Sequence, residues 1–338
     1  MKQVVATALV LLLLFFLLPL MLIREEPLSA PEPAAPEATG TLPIDRTVVT
    51  PTPAARADAA TQVRVKLPGG GVEAMPMSEY LWSVVAAEMP ASFEPEALKA
   101  QAVAARTYAA SKMGHTVPSH PDADMCTDIT CCQAYIASAD AAGNWGDSAA
   151  AYTEKIAAAV AATDGMIACY NGAPIQAVFF SSAAGKTVDA VEVWGNAVPY
   201  LSGVESPEGE EVPGYHSTVT VPLAEFKEKF AAAHPEADFS GEPSGWFQNT
   251  APNSAGGVET VEVGGVKVGG GALRTLFSLR STSFTVSAGA DGVTFSVTGY
   301  GHGVGMSQYG ANALAKQGKT WQEILKWYYT GITIEKMS

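Results

Sequence analysis

Residues 83–110 read SVVAAEMPASFEPEALKAQAVAARTYAA, two helical patterns parted by a break that carries prolines. Upstream, Tyr80, Leu81, Val84 and Val85 recur at helical spacing, Ser78 is placed to cap the first turn, and Pro90 ends the run, which predicts a helix over Glu79 to Glu88. Glu88 then falls in the last turn, where the helix macrodipole disfavours an anion and a carboxyl holds its proton more tightly. The second helix opens at Pro95 and runs to about Met113, with Gly114 as its stop. Ala97, Ala100, Ala104 and Ala105 give it a surface of small residues that another backbone can approach closely, and it carries Gln101 and two cations, Lys99 and Arg106. A solvated polar face is the ordinary reading of such cations, as a solvated carboxylate is of Glu88.

Toward the amino terminus, Val4 to Ile23 (VVATALVLLLLFFLLPLMLI) has no charge and is about as long as a bilayer-crossing helix needs to be. A cleaved signal peptide is the alternative, but Arg24, Glu25 and Glu26 follow directly where a small-residue cleavage site would stand. The expected organisation is a single-pass membrane anchor over 1–23 with the bulk of the chain outside, a Pro/Ala-rich disordered spacer over 24–60, and one folded domain over 61–338. With 34 acidic against 20 basic residues and a net charge of −14, the chain lacks the basic footprint that nucleic acid demands, so no DNA or RNA partner is expected.

The domain reads as α+β: mixed helices and short antiparallel strands in a single grooved domain behind the transmembrane helix. Val63 to Leu67 alternates as a strand turned by Pro68 to Gly71, Ser148 to Ala162 is an alanine-rich helix with Ser148 as a candidate cap, and Ala177 to Phe180 is a buried strand. Residues 212–254 carry no chemical signal, and Phe226, Phe230, Trp246 and Phe247 read as core. Val258 to Val297 returns to short strands broken by glycines, with one short helix around Leu273 to Phe277. Glycines at 299, 301, 303 and 305 then free a turn to bend sharply or to admit a ligand, and His302 is the one group in it whose ordinary pKa lies near neutrality. The turn lacks the GxxxxGK[ST] pattern of a phosphate loop. Thr320 and Glu323 form a capping box for a last helix that buries Trp321, Ile324, Leu325 and Tyr328.

Three of the four cysteines crowd into one loop, where His120, Cys126, Cys131 and Cys132 offer four ligands in a stretch short enough to wrap one tetrahedral zinc. Such a site would be structural, since no position stays open for a catalytic water. The alternative is a disulfide from Cys126 to Cys131 or Cys132, or one using Cys169, because adjacent cysteines pair only through a strained ring.

Five blocks, EMPASFEPEALKAQAVAARTYAA (88–110), CTDITCCQAY (126–135), SSAAGKT (181–187), VWGNAVPYL (193–201) and GYGHGVGMSQYGA (299–311), resemble the stage II sporulation protein D family, itself similar to amidase-enhancer proteins of bacterial cell walls. The resemblance implies a lytic transglycosylase anchored in the mother-cell membrane, facing the forespore. It would cut peptidoglycan glycan strands between N-acetylmuramic acid and N-acetylglucosamine during engulfment. It also implies a preference for strands stripped of stem peptides by a partner amidase, sporulation protein P, in a complex with protein M. The family's catalytic glutamate falls on Glu88. Lys99 and Arg106 are then expected to pair with the lactyl carboxylate that a stripped muramic acid exposes. Gln101 lies between them, and Ser181, Ser182, Lys186, Tyr200, His302, Ser307 and Gln308 fall on family blocks as expected lining of a sugar groove. Some family members resemble the cysteine loop with His in place of Cys131 and bind zinc there. A non-catalytic wall-binding enhancer of an amidase is the rival function, and a purely structural bridge between membrane and wall ranks behind it.

Overall fold

The structure, a computed structural model, describes residues 56–337. The expected anchor and the spacer up to residue 55 lie outside the described residues, among which no helix is long and apolar enough to cross a membrane. The folded domain begins before the expected boundary at residue 61, with a single helical turn, Ala57–Ala60 (α1). Electrostatics is the reason: Asp58, 2% exposed, grips the fully buried Arg106 with both oxygens, Nη2 to Oδ2 at 2.6 Å and Nε to Oδ1 at 2.7 Å.

Gln62–Lys66 (β1) and Val72–Pro76 (β2) form an antiparallel hairpin. Met77–Glu88 (α2) follows without a loop, so Pro76 takes the cap position and Ser78 makes no capping bond. Pro95–Lys112 (α3) is buried on every side, its alanines at 97, 100, 102, 104, 105 and 109 allowing neighbours to close in all round. This overturns the expected cationic face, because Arg106 and Gln101 have no exposed surface and Lys99 is bound to Glu96 at 2.6 Å. Met125–Cys126 (β3) joins β1 in parallel, giving the order β2-β1-β3. Ser138–Trp145 (α4) packs beside α2, Ala149–Ala162 (α5) packs beside both α2 and α3, and α5 ends at a turn leading into Met166–Tyr170 (β4) and Ala173–Pro174 (β5). The strand expected from Ala177 shortens to Phe179–Phe180 (β6), and Ala190–Trp194 (α6) follows.

A second apolar cluster begins with His216–Val221 (β7) and Leu223–Ala233 (α7), and continues through Phe247–Pro252 (β8), Val258–Val263 (β9), Val266–Gly269 (β10) and Gly270–Leu276 (α8) to Phe284–Gly289 (β11) and Gly292–Thr298 (β12). Its two antiparallel sheets, β10-β9-β8 and β11-β12-β7, enclose the expected aromatic core, with the Phe226 ring stacked 4.8 Å from Phe277. The chain then returns to the first cluster. Met306–Ser307 (β13) pairs in parallel with β6, Gln308–Lys316 (α9) and Trp321–Tyr328 (α10) cover α3, and Thr333–Lys336 (β14) closes the sheet β14-β4-β5. The capping box of Thr320 and Glu323 forms as expected. Among the described residues the fold is thus α+β, with mostly antiparallel pairs, two parallel ones and two apolar cores.

Removing Asp58 alone strands a guanidinium inside the protein, so Asp58→Ala is expected to cost about 3–5 kcal/mol in urea unfolding, whereas Asp58→Ala combined with Arg106→Met costs less than the single change. A loss under about 1 kcal/mol for Asp58→Ala would remove this pair from the account of the fold.

Candidate active site

The chain leaves the helical conformation immediately after Glu88, since Met89 is extended at φ −118° and ψ 142°. That places the Glu88 carboxyl in a groove of about 650 Å³ lined also by Tyr108, Ala134, Phe179, Ser181, Trp194, Arg274, Tyr300, His302 and Gln308. The Ala134 N–H donates to Glu88 Oε1 at 2.7 Å and the Gln308 amide donates to Oε2 at 3.2 Å. Burial pushes the carboxyl up from its ordinary value, against these two bonds, which pull it down. Among the described residues Glu88 is the only carboxylate that lines the groove.

Gln308 is held by what lies behind it. It opens α9, whose cap is Ser307: the Ser307 hydroxyl accepts from Gly310 N–H at 3.2 Å and itself donates to the Glu208 carboxylate. Glu208, 4% exposed, also accepts from Ala183 N–H at 2.7 Å and from Ser206 at 2.6 Å, and Ser206 meets the Tyr328 hydroxyl at 2.7 Å. A Cβ at residue 310 would collide with the Tyr328 hydroxyl, Ser206 and the Glu208 carboxylate together, so the first turn of α9 requires glycine there.

His302 faces the groove with both nitrogens spent. Its Nε2–H donates to Phe179 C=O at 3.1 Å, and its Nδ1 accepts from Val304 N–H at 3.2 Å. Burial lowers its pKa to about 4, so at neutral pH it is an uncharged ring set near Phe180 and Trp194 and not the titrating group expected of this turn. The turn needs its glycines: at Gly301, φ +125°, a Cβ would lie 2.6 Å from Phe180.

Of the remaining expected groove residues, Ser181 and Gln308 line it and the others do not. Ser182 is 3% exposed and bridges backbone to backbone with Tyr300, and Ser307 is fully buried as a cap. The Tyr200 hydroxyl accepts from Gln176 N–H at 3.1 Å while its ring meets Tyr170, and Lys186 pairs through its backbone with Glu205. Lys99, Gln101 and Arg106 are absent from the lining as well. Sequence reasoning missed Trp194 and Tyr300, 43% and 46% exposed, and Arg274. Trp194 lay inside a quoted block and Tyr300 inside the glycine turn, where large aromatics beside flexible backbone were the available signal.

On the rim of the groove stand Cys131 and Cys132, and with His120 and Cys126 they bring four ligand atoms within 4.8 Å of one another. All four cysteines are free. The His120 Nδ1–H donates to Ala123 C=O at 3.0 Å, which leaves the Nε2 lone pair beside Cys132 Sγ at 3.3 Å. Cys131 and Cys132 Sγ are 4.0 Å apart, close to the edge of roughly 3.8 Å that Zn–S bonds of about 2.3 Å give a tetrahedron. The residues fit a closed Cys₃His zinc site two residues from the N–H that holds Glu88 Oε1.

A family model described as stage II sporulation protein matches residues 70–170. Stage II sporulation protein D of Bacillus subtilis (strain 168) is 37% identical over 99% of this chain and 96% of its own length. The protein of the same name from Bacillus amyloliquefaciens is 40% identical, covering 78% of this chain and 76% of its own. An amidase enhancer of Bacillus subtilis (strain 168) is 33% identical over 75% of this chain and 40% of the enhancer.

The raised Glu88 value has a consequence for stability. The folded protein holds this proton more tightly than the unfolded chain, so stability falls as pH rises from the ordinary carboxylate value, about 4.3, through the folded value, and the deficit persists above it. Glu88→Gln removes the deficit and is expected to unfold at higher urea than the wild type at pH 7, with the gap closing below about pH 4. Equal midpoints at both pH values would contradict the burial argument.

Proposed function

Because the chain belongs to the stage II sporulation protein D family, we propose that it is a lytic transglycosylase of peptidoglycan glycan strands in which Glu88 is the single acid and base. The observation that carries this is one carboxyl, raised by burial, alone among the lining residues of a groove with two exposed aromatic faces. A glycoside hydrolase of the usual kind uses two carboxylates, one as acid and one as base or nucleophile. A lytic transglycosylase consumes no water and needs one.

Protonated Glu88 gives its proton to the glycosidic oxygen, the bond to muramic C1 breaks, and positive charge develops on that sugar. The muramic 6-hydroxyl then attacks C1 while the Glu88 carboxylate takes the hydroxyl proton, leaving a 1,6-anhydro end and Glu88 protonated again. Gln308 suits both states: its amide N–H donates to the carboxylate, and turned by half a rotation its oxygen accepts from the acid. Trp194 and Tyr300 offer faces for pyranose rings, and neutral His302 contributes surface rather than protons.

The reading extends to residues 4–23 as a membrane anchor that sets the domain on the wall side of the mother-cell membrane. There it would act with sporulation proteins P and M on strands already stripped of peptide. His120, Cys126, Cys131 and Cys132 would hold a structural zinc, and the ion's contribution is to fix the loop that carries Ala134 N–H to Glu88. Protein purified without oxygen is expected to carry one zinc per chain. Absence of metal together with fewer than three titratable thiols would favour a disulfide loop.

The deciding experiment digests amidase-stripped strands with wild type and with Glu88→Gln and reads the ends by mass spectrometry. The wild type is expected to give 1,6-anhydromuramic ends, and Glu88→Gln to lose roughly 10²–10⁴-fold in rate. Reducing ends would mean hydrolysis. Binding without cleavage by either protein would favour a non-catalytic enhancer, the function in the name of the 33% identical relative.

A further inference from the structure

With Arg106 buried against Asp58 and Lys99 bound to Glu96, neither cation expected to read the muramic lactyl group can do so from the groove. Arg274, on α8 of the second core, is the only Lys or Arg among the described residues that line the groove. Its Nε–H donates to Arg280 C=O at 3.3 Å, and among the described residues neither terminal nitrogen has a hydrogen-bond or ion-pair partner. That is notable in a chain with 34 acidic residues against 20 basic ones, where an unpaired guanidinium is easily matched. Its surroundings are braced: Arg280 stacks over the Tyr300 ring at 4.4 Å from its centroid and donates from Nη1 to Gly214 C=O at 2.9 Å. Arg274, Arg280 and Tyr300 also border a shallower hollow of about 310 Å³, so the groove has a cationic end as well as an acidic centre.

We propose that Arg274 is the specificity-determining residue that recognises the free lactyl carboxylate of peptide-stripped muramic acid, its two unpartnered Nη groups forming a paired contact with the two carboxylate oxygens. This rests on the glycan-strand reading of Glu88. A guanidinium matches a carboxylate in geometry and charge, and a half-buried one gains more from the match than a solvated one would. An unstripped muramic acid presents an amide instead, which carries no charge and extends into a peptide, so it offers a poorer partner at the same place. Burial lowers the Arg274 pKa from its ordinary value, yet an arginine stays charged throughout the working range. The structure thereby moves the preference for stripped strands from α3 of the first core to α8 of the second.

The test measures binding by the full chain in detergent, carrying Glu88→Gln so that no strand is cut, to three probes. These are amidase-stripped strands, the same strands with the lactyl carboxylate converted to its methylamide, and strands with stem peptides intact. Adding Arg274→Gln is expected to weaken binding of stripped strands tenfold or more and to leave methylamide strands unchanged, with Arg274→Lys falling between. Equal weakening on both probes, no weakening on either, or no preference by the parent protein for free over blocked carboxylates would overturn this assignment while leaving Glu88 in place. Failure of the parent to bind any strand would overturn the glycan reading and this one with it.

Discussion

A guanidinium with no exposed surface needs a counter-charge of equal depth, and much of this fold follows from how Arg106 obtains one. Asp58 reaches it from the first described turn, and Met166 C=O completes the set at 3.0 Å. Asp58 Oδ1 also accepts from Gly165 N–H, while Asp164 accepts from the N–H groups of Ala57 and Asp58. α1 is thereby locked against the turn between α5 and β4, and α3, which carries Arg106, is fixed in rotation within the bundle. Rotation matters because α3 has alanine on all sides and little shape of its own to set an angle. α2 packs on α3 and ends in Glu88, so the direction of the carboxyl descends from an ion pair outside the groove.

The groove is assembled from segments far apart in the chain. Glu88 is held by Ala134 on one side and by Gln308 on the other, and Gln308 is set by a buried network of Glu208, Ser206, Ser307 and Tyr328. Such a network is fully partnered, which is what makes it tolerable inside a protein. It keeps a charged group close behind the site while leaving the lining with one carboxylate and one guanidinium, the two on elements belonging to different apolar cores.

What could be read without coordinates followed physical locality. The position of Glu88 in a last turn, the capping box at Thr320 and the aromatic core around Phe226 depend on near neighbours in sequence, and all three stand in the structure. Lys99 and Arg106 were misread because helical spacing says which residues share a face and says nothing about what covers it; α3 is covered all round. Ser182, Tyr200 and Ser307 are polar groups beside sharp turns, and they satisfy backbone or buried partners, the commoner fate of such residues. His302 was placed correctly at the groove, but its partners Phe179 and Val304 come from the fold, and they decide its charge. Arg274 left no local trace, since its value lies in lacking a partner, which only a folded chain can show.

The turn at Ala57–Ala60 also decides where mechanical load enters. Tension applied to the chain ahead of residue 56 meets the domain at α1, and the first connections to bear it are the Asp58–Arg106 pair and the two bonds to Asp164. Those anchor points belong to α3 and to the turn before β4, none of them a lining residue of the groove. Load from that end would therefore fall first on the ion pair that sets the rotation of α3 and reach Glu88 only by way of α3 and α2, while Ala134 and Gln308 hold the carboxyl from other segments of the chain.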